Sequence, residues 1–168
     1  MRFATAAAGS SAFFAVAPGV VAGVVPWGLT GWDAEPVWPP LRWLGALLLA
    51  AAAIVLIQAF ARFVAEGLGT PAPVAPTQHL VVGGLYRWVR NPMYVAVVTC
   101  VLGQALLLGR PVLLVYAAGL QVLFVAFVRG YEEPTLRARY GPEYDAYRRA
   151  VPGWWPRVRP APRPPGTS

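Results

Sequence analysis

Apolar and polar residues are arranged along this chain in blocks. Four apolar blocks, at about 10–29, 41–65, 92–108 and 111–128, are separated by short polar stretches. A helix that crosses a membrane needs about 20 mostly apolar residues, with a range of about 17 to 25. Gly109, Arg110 and Pro111 predict a tight turn between the last two blocks, because proline suits the first position of a helix. The pattern therefore predicts an all-α, polytopic membrane protein with about four transmembrane helices and a C-terminal cytoplasmic helical segment.

The blocks also suggest three units. Residues 1–66 form an N-terminal two-helix membrane segment, 67–157 hold a helical hairpin with C-terminal helices, and 158–168 form a proline-rich, disordered tail. Residues 129–150 predict a helix that breaks near Gly141 and Pro142. The first block could instead be a signal peptide. Its charged start is weak and Pro18 follows the best cleavage point, so we favour a retained helix.

The composition agrees with a membrane protein. The chain is 57% hydrophobic and only 12% charged, whereas an ordinary soluble domain has about 25% charged residues. All basic residues are arginine, and most lie between the second and third blocks or after the fourth. The positive-inside rule therefore predicts that both termini are cytoplasmic, in what we take to be a bacterial inner membrane. No basic stripe on a soluble domain predicts nucleic-acid binding, and no Cys/His cluster predicts a metal site.

Two polar clusters flank the hydrophobic hairpin. In the first, Asn91 suits a helix cap and Pro92 a first helical position, so helix-start N–H groups could receive a ligand carboxylate. In the second, Glu132 and Glu133 directly follow the last apolar block, where a carboxylate without a partner is costly. A hairpin returns to the side that it left, so both clusters should form one polar site. The alternative is that the arginines only mark the membrane edge and the acids begin a solvated helix.

The order of these motifs resembles the isoprenylcysteine carboxyl methyltransferase and phospholipid methyltransferase superfamily of integral membrane enzymes. The resemblance covers about residues 70–157. The motifs that carry it are Gly84-Leu-Tyr86, Arg90-Asn91-Pro92-Met93-Tyr94, Glu132-Glu133-Pro-Thr-Leu136, Gly141-Pro-Glu-Tyr144-Asp-Ala-Tyr147 and Val151-Pro152.

This resemblance implies S-adenosylmethionine as cofactor and a lipophilic substrate that enters from the membrane lipids. The cofactor positions that it implies are Gln78, His79, Leu80, Val81, Tyr86, Asn91, Pro92, Met93, Tyr94 and Glu132. Asn91 stands where the family has histidine. The family's acceptor-binding arginine would fall on Val128, which leaves the neighbouring Arg129 as the candidate catalytic residue and makes prenylcysteine doubtful as the substrate.

Two other functions fit parts of the same pattern. Sterol and steroid reductases, which use NADPH, have a related arrangement of tyrosines, paired glutamates and Val-Pro in their C-terminal membrane halves. The short chain counts against that reading. A non-catalytic membrane protein, in which both clusters only anchor the hairpin, is the other alternative.

Overall fold

A computed structural model describes residues 16–67 and 80–162, apart from the side chains of Phe60 and residues 62–67. All regular elements in these two ranges are helical. The helices are α1 (Val16–Thr30), α2 (Pro39–Gly67), α3 (Pro92–Leu108), α4 (Pro111–Phe127), α5 (Glu133–Tyr140) and α6 (Pro142–Ala150). A 3-10 turn at Gly84–Arg87 precedes α3, and a π-helical turn at Val128–Glu132 joins α4 to α5.

Proline and glycine set the ends of the hairpin helices as predicted. Pro92 and Pro111 each lie at the first turn of their helix, where the missing N–H removes no hydrogen bond. Gly109 ends α3 with φ 65°, a left-handed conformation that glycine adopts without strain. Gly141, with φ 54°, breaks the C-terminal helix between α5 and α6, which confirms the predicted break.

Two of the four predicted spans are candidate membrane spans by length and composition. Pro39–Ala59 and the continuous helix Pro111–Tyr140 are long and apolar enough to cross a membrane. Val16–Thr30 and Pro92–Leu108 are apolar but shorter. Within the described residues, the fold is all-helical with two candidate spans, which supports the predicted four only in part. Residues 10–15 of the first block lie outside this range.

The described core lies where α1, α3 and α4 meet. Val101 and Leu113 are fully buried there, and Val21 and Ala22 of α1 pack against the same cluster. These two residues belong to a π-helical turn, Val20–Val24, within α1. Side chains of the hairpin donate hydrogen bonds to both of their carbonyls: Gln104 to Ala22 at 2.6 Å and Tyr116 to Val21 at 2.8 Å. The irregular turn thus fixes α1 on the hairpin through polar contacts as well as apolar packing.

Glycines allow α2 to pack closely against α3. A Cβ atom on Gly45 would lie 2.7 Å from the carbonyl oxygen of Gly103, and one on Gly103 would lie 2.8 Å from the amide nitrogen of Leu49. Neither gap leaves room for a side chain. The backbones therefore touch through two glycines, as small residues permit in membrane helix pairs.

Candidate functional site

The segment before α3 is held by the C-terminal strap, residues 151–161. The amides of Arg90 and Asn91 donate to the carbonyls of Pro152 and Gly153, at 2.9 and 3.3 Å. Farther along, the amide of Ala161 donates to the carbonyl of Arg87 at 2.9 Å, and the Arg87 Nε returns a bond of 2.7 Å to Ala161. Residues 158–161, which the sequence assigns to a disordered tail, therefore lie against the entrance to α3. Residues 163–168 lie outside the described residues.

Asn91 has a different role from the predicted helix cap. It occupies the position before α3, but its side chain makes no capping hydrogen bond. Its Nδ2 instead donates to the carbonyl of Gly153 at 3.1 Å. The predicted N-cap position is confirmed, but the side chain does not cap the helix because the C-terminal strap offers it a carbonyl partner that only the tertiary structure brings near.

Arg90 connects three elements of the site. Its Nε donates to the carbonyl of Val151 at 2.9 Å, and its guanidinium donates to the Oε1 of Glu133 at 2.8 Å and to the hydroxyl of Tyr144 at 3.1 Å. Its side chain is only 13% exposed. Arg148 also reaches Glu133, at 3.3 Å. The first polar cluster is thus tied through one side chain to the start of α5, to α6 and to the C-terminal strap.

A second contact joins the clusters nearer the hairpin. The hydroxyl of Tyr94, in the first turn of α3, donates to Oε2 of Glu132 at 3.1 Å. The Tyr94 ring packs against Phe124 of α4 and Trp154 of the C-terminal strap, with ring centroids 4.8 and 6.4 Å away. A carboxylate held by a tyrosine and bordered by aromatic rings suits a ligand that carries a cation or hydroxyl groups.

Two tyrosines of α6 close the other side of the 3-10 turn. Tyr144 is 2% exposed, and the Tyr147 hydroxyl donates to the carbonyl of Tyr86 at 2.7 Å. Burial raises the pKa of the Tyr147 phenol. Burial is also the main cause that raises the pKa of Tyr144, against the opposing effect of the Arg90 charge. Both phenols therefore stay neutral and act as hydrogen-bonding groups near neutral pH.

The remaining predicted site residues differ in whether they lie near the start of α3. Val81 and Pro92 are buried, and Leu80 and Met93 are half-buried near the same helix start. Arg129 is exposed and makes no hydrogen bond or ion pair with the described part of the chain, whereas the adjacent Val128 is 2% exposed. The structure thus brings Tyr86, Asn91, Tyr94 and Glu132 into one region and does not bring Arg129 into contact with them. Gln78 and His79 lie outside the described residues.

Sequence reasoning missed several residues of this region. Glu133 was grouped with Glu132, yet it contacts Arg90 while Glu132 contacts Tyr94. Trp154 and Gly153 were not singled out. Their only sequence signal is that they follow the Val151-Pro152 motif.

The family profile described as phospholipid methyltransferase matches residues 41–143. The match runs from α2 through the hairpin to the start of α6 and includes both Arg90–Tyr94 and the paired glutamates. The chain belongs to the phospholipid methyltransferase family. This confirms the resemblance inferred from the motifs and supports a methyltransferase that needs a methyl donor. The C-terminal strap lies beyond the matched residues. Searches of curated proteins and of solved structures found no match.

Proposed function

We propose that this chain transfers a methyl group from S-adenosylmethionine to a small lipophilic acceptor at the cytoplasmic face of a membrane. The observation that carries this proposal is the contact of Tyr94 with Glu132 at 3.1 Å. The two residues are 38 positions apart, lie on opposite flanks of the hairpin, and both fall within the match to the methyltransferase family. Their contact supports a single site built from the two motifs.

The chemistry of the residues fits S-adenosylmethionine. Glu132 offers a carboxylate for an amino or hydroxyl group, and the rings of Tyr94 and Trp154 offer electron-rich faces for a sulfonium. The first turn of α3 begins with Pro92 and carries N–H groups at the positive end of the helix dipole, which suits a carboxylate. A zwitterionic sulfonium nucleoside requires these complementary groups.

When bound, the cofactor would supply a methyl group on a positively charged sulfur, so that the acceptor forms a bond to the methyl carbon while the carbon–sulfur bond breaks and the thioether leaves. The protein's task is then to hold the reacting atoms in line in a dry site, which needs neither a metal nor a histidine–carboxylate pair. Tyr94 orients Glu132, and Arg90 holds the start of α5 through Glu133. Asparagine at position 91 suffices in this scheme, because its part is to fix the C-terminal strap rather than to move a proton.

The tryptophans lie at the two ends of the hairpin, as expected if each end meets a membrane interface. Four lie near the end of α1, the start of α2 and the turn between α3 and α4: Trp27, Trp32, Trp38 and Trp43. The other three, Trp88, Trp154 and Trp155, lie near the start of α3. Tryptophan is enriched at membrane–water interfaces, and the 17 residues of α3 give about 26 Å at about 1.5 Å per residue. This distribution supports four spans rather than two, with the shorter helices also crossing the membrane.

Charge supports a cytoplasmic location for the site. Residues 87–90 and 129–159 carry nine arginines and four acidic residues, whereas the opposite end carries Asp33, Glu35, Arg42 and Arg110. The opposite end is nearly neutral and is internally paired, since Arg110 contacts Glu35 at 3.2 Å. By the positive-inside rule, this difference supports a cytoplasmic location for the site end and both termini.

Calorimetric titration of the purified protein in detergent with S-adenosylmethionine tests the proposal. We expect binding by the wild-type chain and a dissociation constant about tenfold or more higher for Glu132→Gln, since a bond to a charged group contributes about 1.5–3 kcal/mol. Glu143→Gln, at an exposed position of α6, is the matched control and should bind normally. Absence of cofactor binding by the wild-type chain, or equal binding by all three proteins, would refute the assignment.

The acceptor class is tested by supplying the donor with a labelled methyl group and extracting lipids. Label should enter the organic phase with the wild-type chain and not with Glu132→Gln. A parallel thermal-shift measurement with NADPH separates the reductase alternative, because a methyltransferase site should be stabilised by S-adenosylmethionine and not by the dinucleotide.

A further inference from the structure

A second polar pocket lies beside the methyl-transfer site, between α5, α6 and the entrance to α3. It has a volume of about 530 Å³ and is lined by Arg90, Arg137, Asp145, Arg148 and Arg149. We propose that this pocket is a binding site for a phosphate group. It shares Arg90 with the site described above, but neither Tyr94 nor Glu132 lines it, so a ligand here does not need the groups proposed to hold the methyl donor.

Positive charge in the pocket exceeds the negative charge that the protein supplies. The Nε of Arg137 pairs with Asp145 at 2.8 Å, and Arg90 and Arg148 share Glu133 at 2.8 and 3.3 Å. Two carboxylates thus serve four guanidinium groups. Arg149 makes no hydrogen bond or ion pair with any residue in the two described ranges. Like charges gathered around one cavity repel each other and favour an anion between them.

Guanidinium groups bind oxyanions, and four of them with only two carboxylates favour a doubly charged phosphate over a carboxylate. Each guanidinium presents a planar fork of N–H donors that matches two oxygens of one phosphate. Arg137 uses its Nε on Asp145, which leaves its two terminal nitrogens as donors. All the N–H donors of the Arg149 guanidinium remain available within the described residues. The pocket lies within the volume range of ligand sites, about 300–1,000 Å³, so it has room for a free phosphate or for the phosphate of a lipid headgroup.

The location makes both sources chemically reachable. The pocket lies at the arginine-rich end of the hairpin. Trp88, Trp154 and Trp155 lie at the same end, as expected near a membrane–water interface. Anionic lipid headgroups and soluble phosphates meet at such a surface. The shared chemistry is a phosphate oxygen held by Arg137 and Arg149.

The test uses the full chain in nanodiscs of phosphatidylcholine, whose headgroup carries no net charge. Inorganic phosphate is titrated at constant ionic strength while the melting temperature is followed. We expect the half-saturating phosphate concentration to rise several-fold for Arg149→Gln and at least tenfold for the double variant Arg137→Gln, Arg149→Gln. Arg139→Gln is the matched control, since it removes the same charge from α5 at an exposed position outside the pocket.

A second arm compares phosphatidylcholine nanodiscs with discs of equal parts phosphatidylcholine and phosphatidic acid, without added phosphate. If the acidic lipid raises the melting temperature of the wild-type chain and Arg139→Gln but not of the double variant, the source is a lipid headgroup. If only inorganic phosphate gives this selective response, the source is a soluble phosphate. No response in either arm, or equal responses from all variants, would overturn the proposal.

Two readouts keep this test separate from the proposed function. The double variant should bind S-adenosylmethionine like the wild-type chain, because neither substituted arginine lies in the methyl-transfer site. Arg149→Gln removes no contact within the described chain, so it remains informative if the double variant proves unstable. Loss of phosphate binding with cofactor binding intact thus reports on the pocket alone.

Discussion

Replacing Arg90 with methionine should release α6 and the C-terminal strap from the hairpin. The side chain makes three hydrogen bonds, to Val151, Glu133 and Tyr144. A bond involving a charged group contributes about 1.5–3 kcal/mol, and such bonds are not additive within one network. The site is not fully buried, and Arg148 can still serve Glu133. We therefore expect a local destabilisation of about 2–4 kcal/mol, below the sum of three independent bonds.

Hydrogen exchange measures this local opening directly. A change of about 2–4 kcal/mol raises the population of the open state, and hence the exchange rate, about 30- to 700-fold. The effect should appear in residues 142–151, including the Val151 amide, which bonds to Tyr147 at 2.9 Å. Arg90→Lys keeps the charge but not the fork and should give an intermediate rate. Exposed Arg139, replaced by methionine, is the control; equal exchange rates in the Arg90 and Arg139 variants would show that Arg90 does not hold these elements together.

Two further predictions concern packing and pH. Gly103→Ala should lower the unfolding free energy in detergent by about 1–3 kcal/mol, because its Cβ would lie 2.8 Å from the backbone of α2, and α2 must move about 0.6 Å to restore an ordinary contact of about 3.4 Å. Gly119→Ala on α4 is the control: it has open space around it and should be neutral or stabilising by up to about 1 kcal/mol. Equal effects of the two substitutions would contradict the close approach of α2 and α3. Burial raises the pKa of Tyr147 in the folded chain, whereas the unfolded chain ionises at the ordinary pKa of about 10, so the unfolding free energy should fall as the pH rises above about 10. Unfolding measured between neutral and alkaline pH should therefore show a smaller decrease of this free energy for Tyr147→Phe than for the wild-type chain. An unchanged slope would contradict the role assigned to burial.

The hairpin could be predicted from sequence because its signals are local. Pro92 and Pro111 fix helix starts, and Gly109 and Gly141 fix a turn and a break, through backbone preferences that do not depend on the rest of the fold. The return of the hairpin then requires residues at both of its flanks to lie at the same end. The predicted meeting of the two polar clusters follows from this, and the contact of Arg90 with Glu133 confirms it.

The C-terminal strap could not be predicted in the same way. In its hydrogen bonds with the entrance to α3, the strap itself uses backbone atoms, such as the Arg157 amide that donates to the Trp88 carbonyl at 3.0 Å. Backbone groups are present at every position, so their pairing leaves no pattern of side chains. The proline and arginine content of the segment that begins at residue 158 is typical of an unfolded tail, but the contacts of Ala161 with Arg87 override this preference within the described residues.

The π-helical turn at Val128–Glu132 decides how the two adjacent glutamates are used. Neighbouring residues on a helix point about 100° apart, so Glu132 and Glu133 can face different partners from one helix. Glu132 meets Tyr94 at the hairpin, and Glu133 meets Arg90 and Arg148 beside α6. A π-helical turn shifts the phase of all following residues and is frequent at functional sites. A regular helix would change which acid faces Tyr94, so the contact of Glu132 with Tyr94, and with it the proposed role of Glu132, depends on this one irregular turn.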